Sequence, residues 1–163
     1  MHFAMAEVRE LQGRAEEARA ELAKVSVRAN QTGNFELYNK AQVLTGESFL
    51  KAGEINKAYA CFSIVAATAF PEDEDDADAR TTEPGEESEP GEESGAAAPA
   101  ASAAEEVFAA MQWIEQAVYR TAYTAALLGN TSERDLMVKK YHKHFPDGKY
   151  AAEIGSLPES QAQ

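Results

Sequence analysis

Residues 45–71 read TGESFLKAGEINKAYACFSIVAATAFP. Gly53 divides two segments of apolar periodicity, one from about Phe35 to Ala52 and one from about Glu54 to Ala69, and Pro71 closes the second. Leu37, Ala41, Leu44, Ser48 and Phe49 lie near one side of the first segment. Two helices joined by so short a turn must lie antiparallel. The spacing therefore predicts a helical hairpin over 32–71.

Upstream, Ala4, Val8, Leu11, Ala15, Ala18, Leu22, Val25 and Ala29 recur in alternating steps of four and three. This pattern predicts one long amphipathic helix over 1–31, with Glu16, Glu17 and Glu21 on its solvated face. The stripe fits a coiled-coil seam, but three heptads with an alanine centre suit packing on the chain's own next helix better. Asn30-Gln31-Thr32-Gly33-Asn34 ends the helix, with Gly33 in the left-handed terminal position and Asn34 as the next N-cap.

Downstream, residues 72–103 change character. Between Ala77 and Val107 there is no Leu, Ile, Val, Met, Phe, Tyr or Trp, and EPGEES occurs twice in residues 83–94. Such a segment cannot bury enough apolar surface to offset the entropy of ordering, so a disordered acidic linker is expected there. From Pro71 to Gly95 there are twelve acids and one base, so the net charge of −13 belongs almost entirely to this tract.

Periodicity returns at Val107, Met111, Ile114, Val118, Thr121, Ala125 and Leu128, and a second face carries Phe108, Tyr119, Ala122 and Ala126. A helix apolar around so much of its girth is expected at the centre of the fold. Gly129-Asn130 breaks it, Thr131 or Ser132 is placed to cap the next helix, and Pro146-Asp147-Gly148 forms a turn. A second hairpin over 104–157 is predicted, with a short helix in KYAAEI before a frayed tail at 158–163. Gly53 to Pro71 spans 18 residues and Gly129 to Pro146 spans 17, so one helix–Gly–helix–Pro unit occurs twice.

The first unit resembles a tetratricopeptide repeat. Gly46 matches that family's small residue in the first helix, Phe49 the aromatic three positions on, and Gly53 the turn. Ala58 matches the small contact residue of the second helix, Phe62 the aromatic after it, and Pro71 the closing proline. In the second unit Ala122, Gly129 and Pro146 match, whereas Ala125 and Arg134 depart from the usual aromatic and alanine. The resemblance covers residues 36–71 and 115–154. It implies an all-α short solenoid of antiparallel hairpins whose first helices line a partner-binding face. Carried over, the inner-face positions are Lys40, Val43, Glu47 and Leu50 in the first unit and Gln116, Tyr119, Tyr123 and Ala126 in the second. The family's best-known peptide clamp uses several basic and Asn residues. Only Lys40 and Asn39 stand near such places, which argues against a carboxylate clamp.

Outside the acidic tract the chain carries a net charge of only −2, unlike a nucleic-acid groove with clustered Lys and Arg. Cys61 is the single cysteine, in an apolar helical context with no base beside it, so it reads as a packed thiol. His142 and His144 are two apart and do not share a helix face. With Lys139, Lys140 and Lys143 they read as cations at a helix C-terminus, which the helix dipole favours. No glycine-rich phosphate loop, HExxH or paired-Cys motif is present, and no metal or cofactor is expected. No apolar run reaches the ~20 residues that span a bilayer, and MHFAMAEVRELQG lacks the features of a secretory signal. The expectation is a soluble intracellular protein, cytoplasmic first and nuclear second.

The expected function is non-catalytic: a protein-interaction module, adaptor or scaffold subunit. The alternative is an acidic escort for a basic protein of histone or ribosomal type, acting through residues 72–95 by competing with nucleic acid for Lys/Arg-rich segments. If the escort reading holds, deleting residues 72–103 abolishes salt-sensitive binding of a purified histone in a pull-down. Unchanged, salt-insensitive binding excludes it.

Overall fold

The structure, a computed structural model, describes residues 2–70 and 101–157, apart from the side chains of 101–109. Most of the expected linker, and Pro71, lie outside the described residues. The linker's last three positions, 101–103, belong to a helix. The described elements are all helices: α1 (His2–Leu11), α2 (Ala15–Thr32), α3 (Phe35–Lys51), α4 (Ile55–Ala69), α5 (Ala101–Leu127), α6 (Thr131–His144) and α7 (Ala151–Ile154). No described residue lies in a strand.

The N-terminal segment corrects the sequence reading. The single helix expected over 1–31 is two helices, broken at Gln12-Gly13-Arg14. Gly13 adopts φ 73°, a left-handed conformation that costs a residue with a Cβ but not glycine. The Gly13 N–H bonds the Glu10 carbonyl, and the Arg14 N–H reaches back to the Arg9 carbonyl at 2.8 Å. This pair of bonds satisfies helix-end carbonyls and reverses the chain. The same pair recurs at Gly33, Gly53 and Gly129, where the following N–H reaches the carbonyl five residues back at 2.9 Å each time. After two of these turns an Asn side chain caps the next helix. Asn34 accepts from the Leu37 N–H at 3.0 Å and Asn130 from the Glu133 N–H at 3.2 Å. Asn130 therefore takes the role that the sequence assigned to Thr131 or Ser132.

Each helix from α1 to α6 packs on the next, and α3 also packs along α5. The central helix is α5, as its apolar girth predicts, touching α3, α4, α6 and α7. The core falls into three clusters strung along the chain. Ala6, Ala18 and Leu22 join α1 to α2, with Phe3 and Leu44 against them. Val43, Ala58, Phe62, Val65 and Ala117 join α3, α4 and α5. Val118, Tyr119, Ala122, Met137, Tyr141 and Ile154, with Ala66, join α5, α6 and α7 to the end of α4.

The buried polar groups of α5 are satisfied within the helix. Thr121 and Thr124 donate their hydroxyls to the carbonyls four residues back, at 2.8 Å each. Between α5 and α6 the Tyr141 hydroxyl donates to Glu115 Oε1 at 2.5 Å and accepts the Tyr150 N–H at 2.8 Å. Burial, reinforced by the Glu115 bond, pushes the Tyr141 phenol well above its ordinary range. One hydroxyl thereby ties α6 to α5 and to the turn before α7.

Two helices, α3 and α4, approach closely at Gly46. A Cβ built there lies 2.5 Å from Cε1 of the fully buried Phe62 ring. Gly46→Ala must push the ring or part α3 from α4, so it is expected to destabilise by about 1–3 kcal/mol, the usual cost of overpacking. Chemical denaturation measures this. Combined with Phe62→Leu, which trims the obstructing ring, the two costs are expected to be clearly less than additive.

Candidate binding groove

The first helices of the hairpins run side by side and parallel. Lys40 of α3 reaches Phe3 of α1 and Trp113 of α5. Further along, Ser48 and Lys51 of α3 meet Glu10 of α1, while Glu47 meets Gln116 and Arg120 of α5. Between α3 and α5 the contact is closed, with Val43 and Ala117 both fully buried in one cluster. Between α1 and α3 it is not. The two helices touch at their rims and leave a cleft of about 600 Å³. Its floor is Ala6, Ala18, Leu22 and Leu44, with Phe3, Leu11 and Trp113 at its ends. Glu7 and Glu10 edge one bank; Lys40, Glu47 and Lys51 edge the other.

A second, smaller hollow of about 430 Å³ lies between α5 and the turn leading to α7, lined by Met111, Trp113, Gln116, Phe145, Lys149 and Tyr150 among others. Trp113 lines both hollows, which together lie on α1, α3 and α5.

The structure distributes the expected binding residues unevenly. Lys40 stands on the groove rim, its ammonium 4.8 Å from the Phe3 ring centre and 5.5 Å from that of Trp113. Such contacts suit a cation to an aromatic face. Glu47 is on the rim too, but its carboxylate accepts from Arg120 Nε at 2.5 Å and Gln116 Nε2 at 3.2 Å. Gln116 borders the second hollow. Val43 is sealed in the core and cannot meet a partner, which corrects its placement on a binding face. Leu50 packs against the same core. Tyr119 is buried and stacks on Tyr150 at 4.4 Å with the rings within 5° of parallel. Tyr123 stacks more distantly on Tyr119 at 6.4 Å, and Arg120 lies over both rings. Ala126 is buried, as is Asn39.

Sequence reasoning missed α1's share of the groove: Phe3, Glu7, Glu10 and Leu11. A single helix over 1–31 carries these residues away from α3, whereas the turn at Gly13 folds them onto it. The available signal was the spacing of Gly13, Gly33 and Gly53, each twenty residues from the next.

Glu21 secures the fold-back. The sequence placed it on a solvated face, but it is 4 % exposed. Lys24 Nζ donates to Glu21 Oε1 at 2.9 Å, Arg9 Nη1 donates to the same oxygen at 3.0 Å, and His2 Nδ1 lies 2.9 Å from Oε2. Two of these three partners belong to α1. The bonds from Lys24 and His2, with the charges of Lys24 and Arg9, hold the Glu21 carboxyl at about 2 against the opposing effect of burial.

No family model, no curated protein sequence and no solved structure matches the chain. Among the described residues no helix is long and apolar enough to cross a membrane.

A carboxyl whose pKa is depressed on folding stabilises the fold above its unfolded value and loses that contribution as pH falls through its folded value. The α1–α2 hairpin is therefore expected to weaken between about pH 4.5 and pH 2. Glu21→Gln is expected to lower the melting temperature at pH 7 and to flatten its fall over that acid range, as circular dichroism at stepped pH would show.

Proposed function

We propose that this chain is a non-catalytic protein-interaction module of tetratricopeptide-like build, holding a partner protein in the groove across α1, α3 and α5. The observation that carries the reading is the groove itself. It is concave, paved with aromatic and aliphatic side chains, edged by charge, and shares Trp113 with a second hollow. Concave apolar surface with a few placed polar groups is the usual form of a binding site, and Trp and Tyr are favoured where binding energy concentrates.

The repeat-like reading has its own support. Counting from Gly13, Gly53 and Gly129, a small buried residue stands seven positions before each: Ala6, Gly46 and Ala122. Nine positions after each stands an apolar residue of the second helix: Leu22, Phe62 and Val138. All three lie in or against the clusters that join their hairpins. A small residue facing a larger one at constant offset from the turn is how a hairpin unit is reused with the same packing distance. On this reading the chain holds three such units rather than the two expected, with the extra one formed by α1 and α2.

The test is affinity capture with mass spectrometry, run in parallel on the wild-type chain, Lys40→Glu and Trp113→Ala, with helicity checked for each. Partners of the groove are expected to be depleted at least tenfold in both variants, the scale of a lost hot spot of about 2 kcal/mol. Full retention of all partners by folded Lys40→Glu and Trp113→Ala overturns the reading.

A further inference from the structure

The cleft between α1 and α3 has a length, a volume and a charge order, and together they select an occupant. Along α1 it runs from Phe3 to Leu11, about 12 Å at 1.5 Å per residue. A helix with its side chains, about 10–12 Å wide and that long, fills roughly 900–1,400 Å³, more than the cleft's volume of about 600 Å³. Only a row of side chains therefore enters, with the backbone above the rim. Two turns of helix present anchors at i, i+3 or i+4, and i+7, which matches the slot's length.

The banks decide between a helix and an extended segment. Both are α-helices, whose interior backbone groups are already bonded within the helix. An extended peptide laid between them would lack the backbone partners that a sheet edge supplies. A helix brings its own.

The charges then set its flanks. The α1 bank carries Glu7 and Glu10. The α3 bank carries Lys40 at one end and Lys51 at the other, and Glu47 between them is already held by Arg120. Lys40 has ring faces but no carboxylate partner among the described residues. Glu10 and Lys51 bridge the mouth at 3.7 Å, and Lys51 is mostly exposed, so the bridge is weak and readily exchanged.

We propose that the cleft seats an amphipathic helix of a partner protein, with an apolar stripe entering between Leu44 and Phe3, a basic flank against α1 and an acidic flank against α3. This rests on the groove being a protein-binding surface and adds the chemistry of what it binds. Opposed banks also impose direction. Turning a helix end for end exchanges its flanks, so only one orientation satisfies both banks.

The probes are three synthetic helical peptides with one leucine stripe, carrying Lys on one flank and Glu on the other, Lys on both, or Glu on both. Binding to the full chain is read by fluorescence anisotropy at low salt. The mixed-flank peptide is expected to bind at least tenfold more tightly than either like-charged one, with the advantage shrinking as salt rises. Equal affinity for all three overturns the charge assignment and leaves the groove reading intact. Binding by none of them overturns both.

Direction has a built-in reporter, because Trp113 is the chain's one tryptophan and lies at the Lys40 end of the cleft. A quencher on one terminus of the mixed-flank peptide is expected to dim Trp113, and one on the other terminus is not. Exchanging the flanks is expected to reverse which terminus quenches. Equal quenching from both termini overturns the directional part of the proposal.

Discussion

Phe62 lies against the bare backbone of Gly46, and this contact sets how closely α3 and α4 approach. Any side chain at residue 46 would occupy the space of the ring. Much of the remaining packing takes its distances from this pair. Val43, three residues before Gly46, is thereby brought level with Ala58 and Val65 in one cluster. The α5 helix then has two neighbours to satisfy at once, α3 through Ala117 and α4 through Ala66 and Val118. It can do so because its contact faces are made of alanine and β-branched residues that let helices come close. Close packing of this kind leaves no room for a loosely held central helix, which explains why α5 is buried on several sides along its second half.

Much of this architecture was legible in the sequence, for reasons that differ from element to element. Gly53 announced its turn through its company: Pro71 closes the segment after it, and Gly129 and Pro146 repeat the spacing within one residue. Gly13 was hidden because Ala4, Val8, Leu11, Ala15 and Ala18 keep one register straight through it. A glycine inside a helix costs only about 1 kcal/mol, so a continuous pattern outweighs it on local grounds. The fold decides otherwise because folding back buries Ala6 against Ala18 and Leu22 and gives Glu21 its partners on α1. Both gains are tertiary, and neither exists for an isolated segment. The stripe misled for the same reason. Val8 and Leu11 belong to it but are exposed, since the register restarts after the turn.

The groove was legible only where it depended on α3 and α5. Lys40, Glu47 and Gln116 do border it, whereas Val43 and Tyr119 fall on the inward side of the same helices. Positions three residues apart on a helix differ by about 60° around its axis. That angle is enough to separate a rim residue such as Lys40 from a core residue such as Val43. Periodicity identifies which residues share a face. It does not say where a neighbouring helix stops covering that face, and the edge of the cover is what makes a groove.

The three clusters are unequal, and this has a consequence for how the molecule moves. The last gathers Tyr141, Met137, Ile154 and Tyr119 around one bonded phenol, whereas the first rests on two alanines and a leucine. A region held by few buried apolar contacts opens most readily. Among the described residues the cluster joining α1 to α2 is the smallest of the three. Amide protons of α1 should accordingly exchange through local fraying, well before those of α5. The wall that gives the cleft its width is thus also the part of the fold that breathes most easily, and a ligand lying along it would be recorded first as slowed exchange in α1.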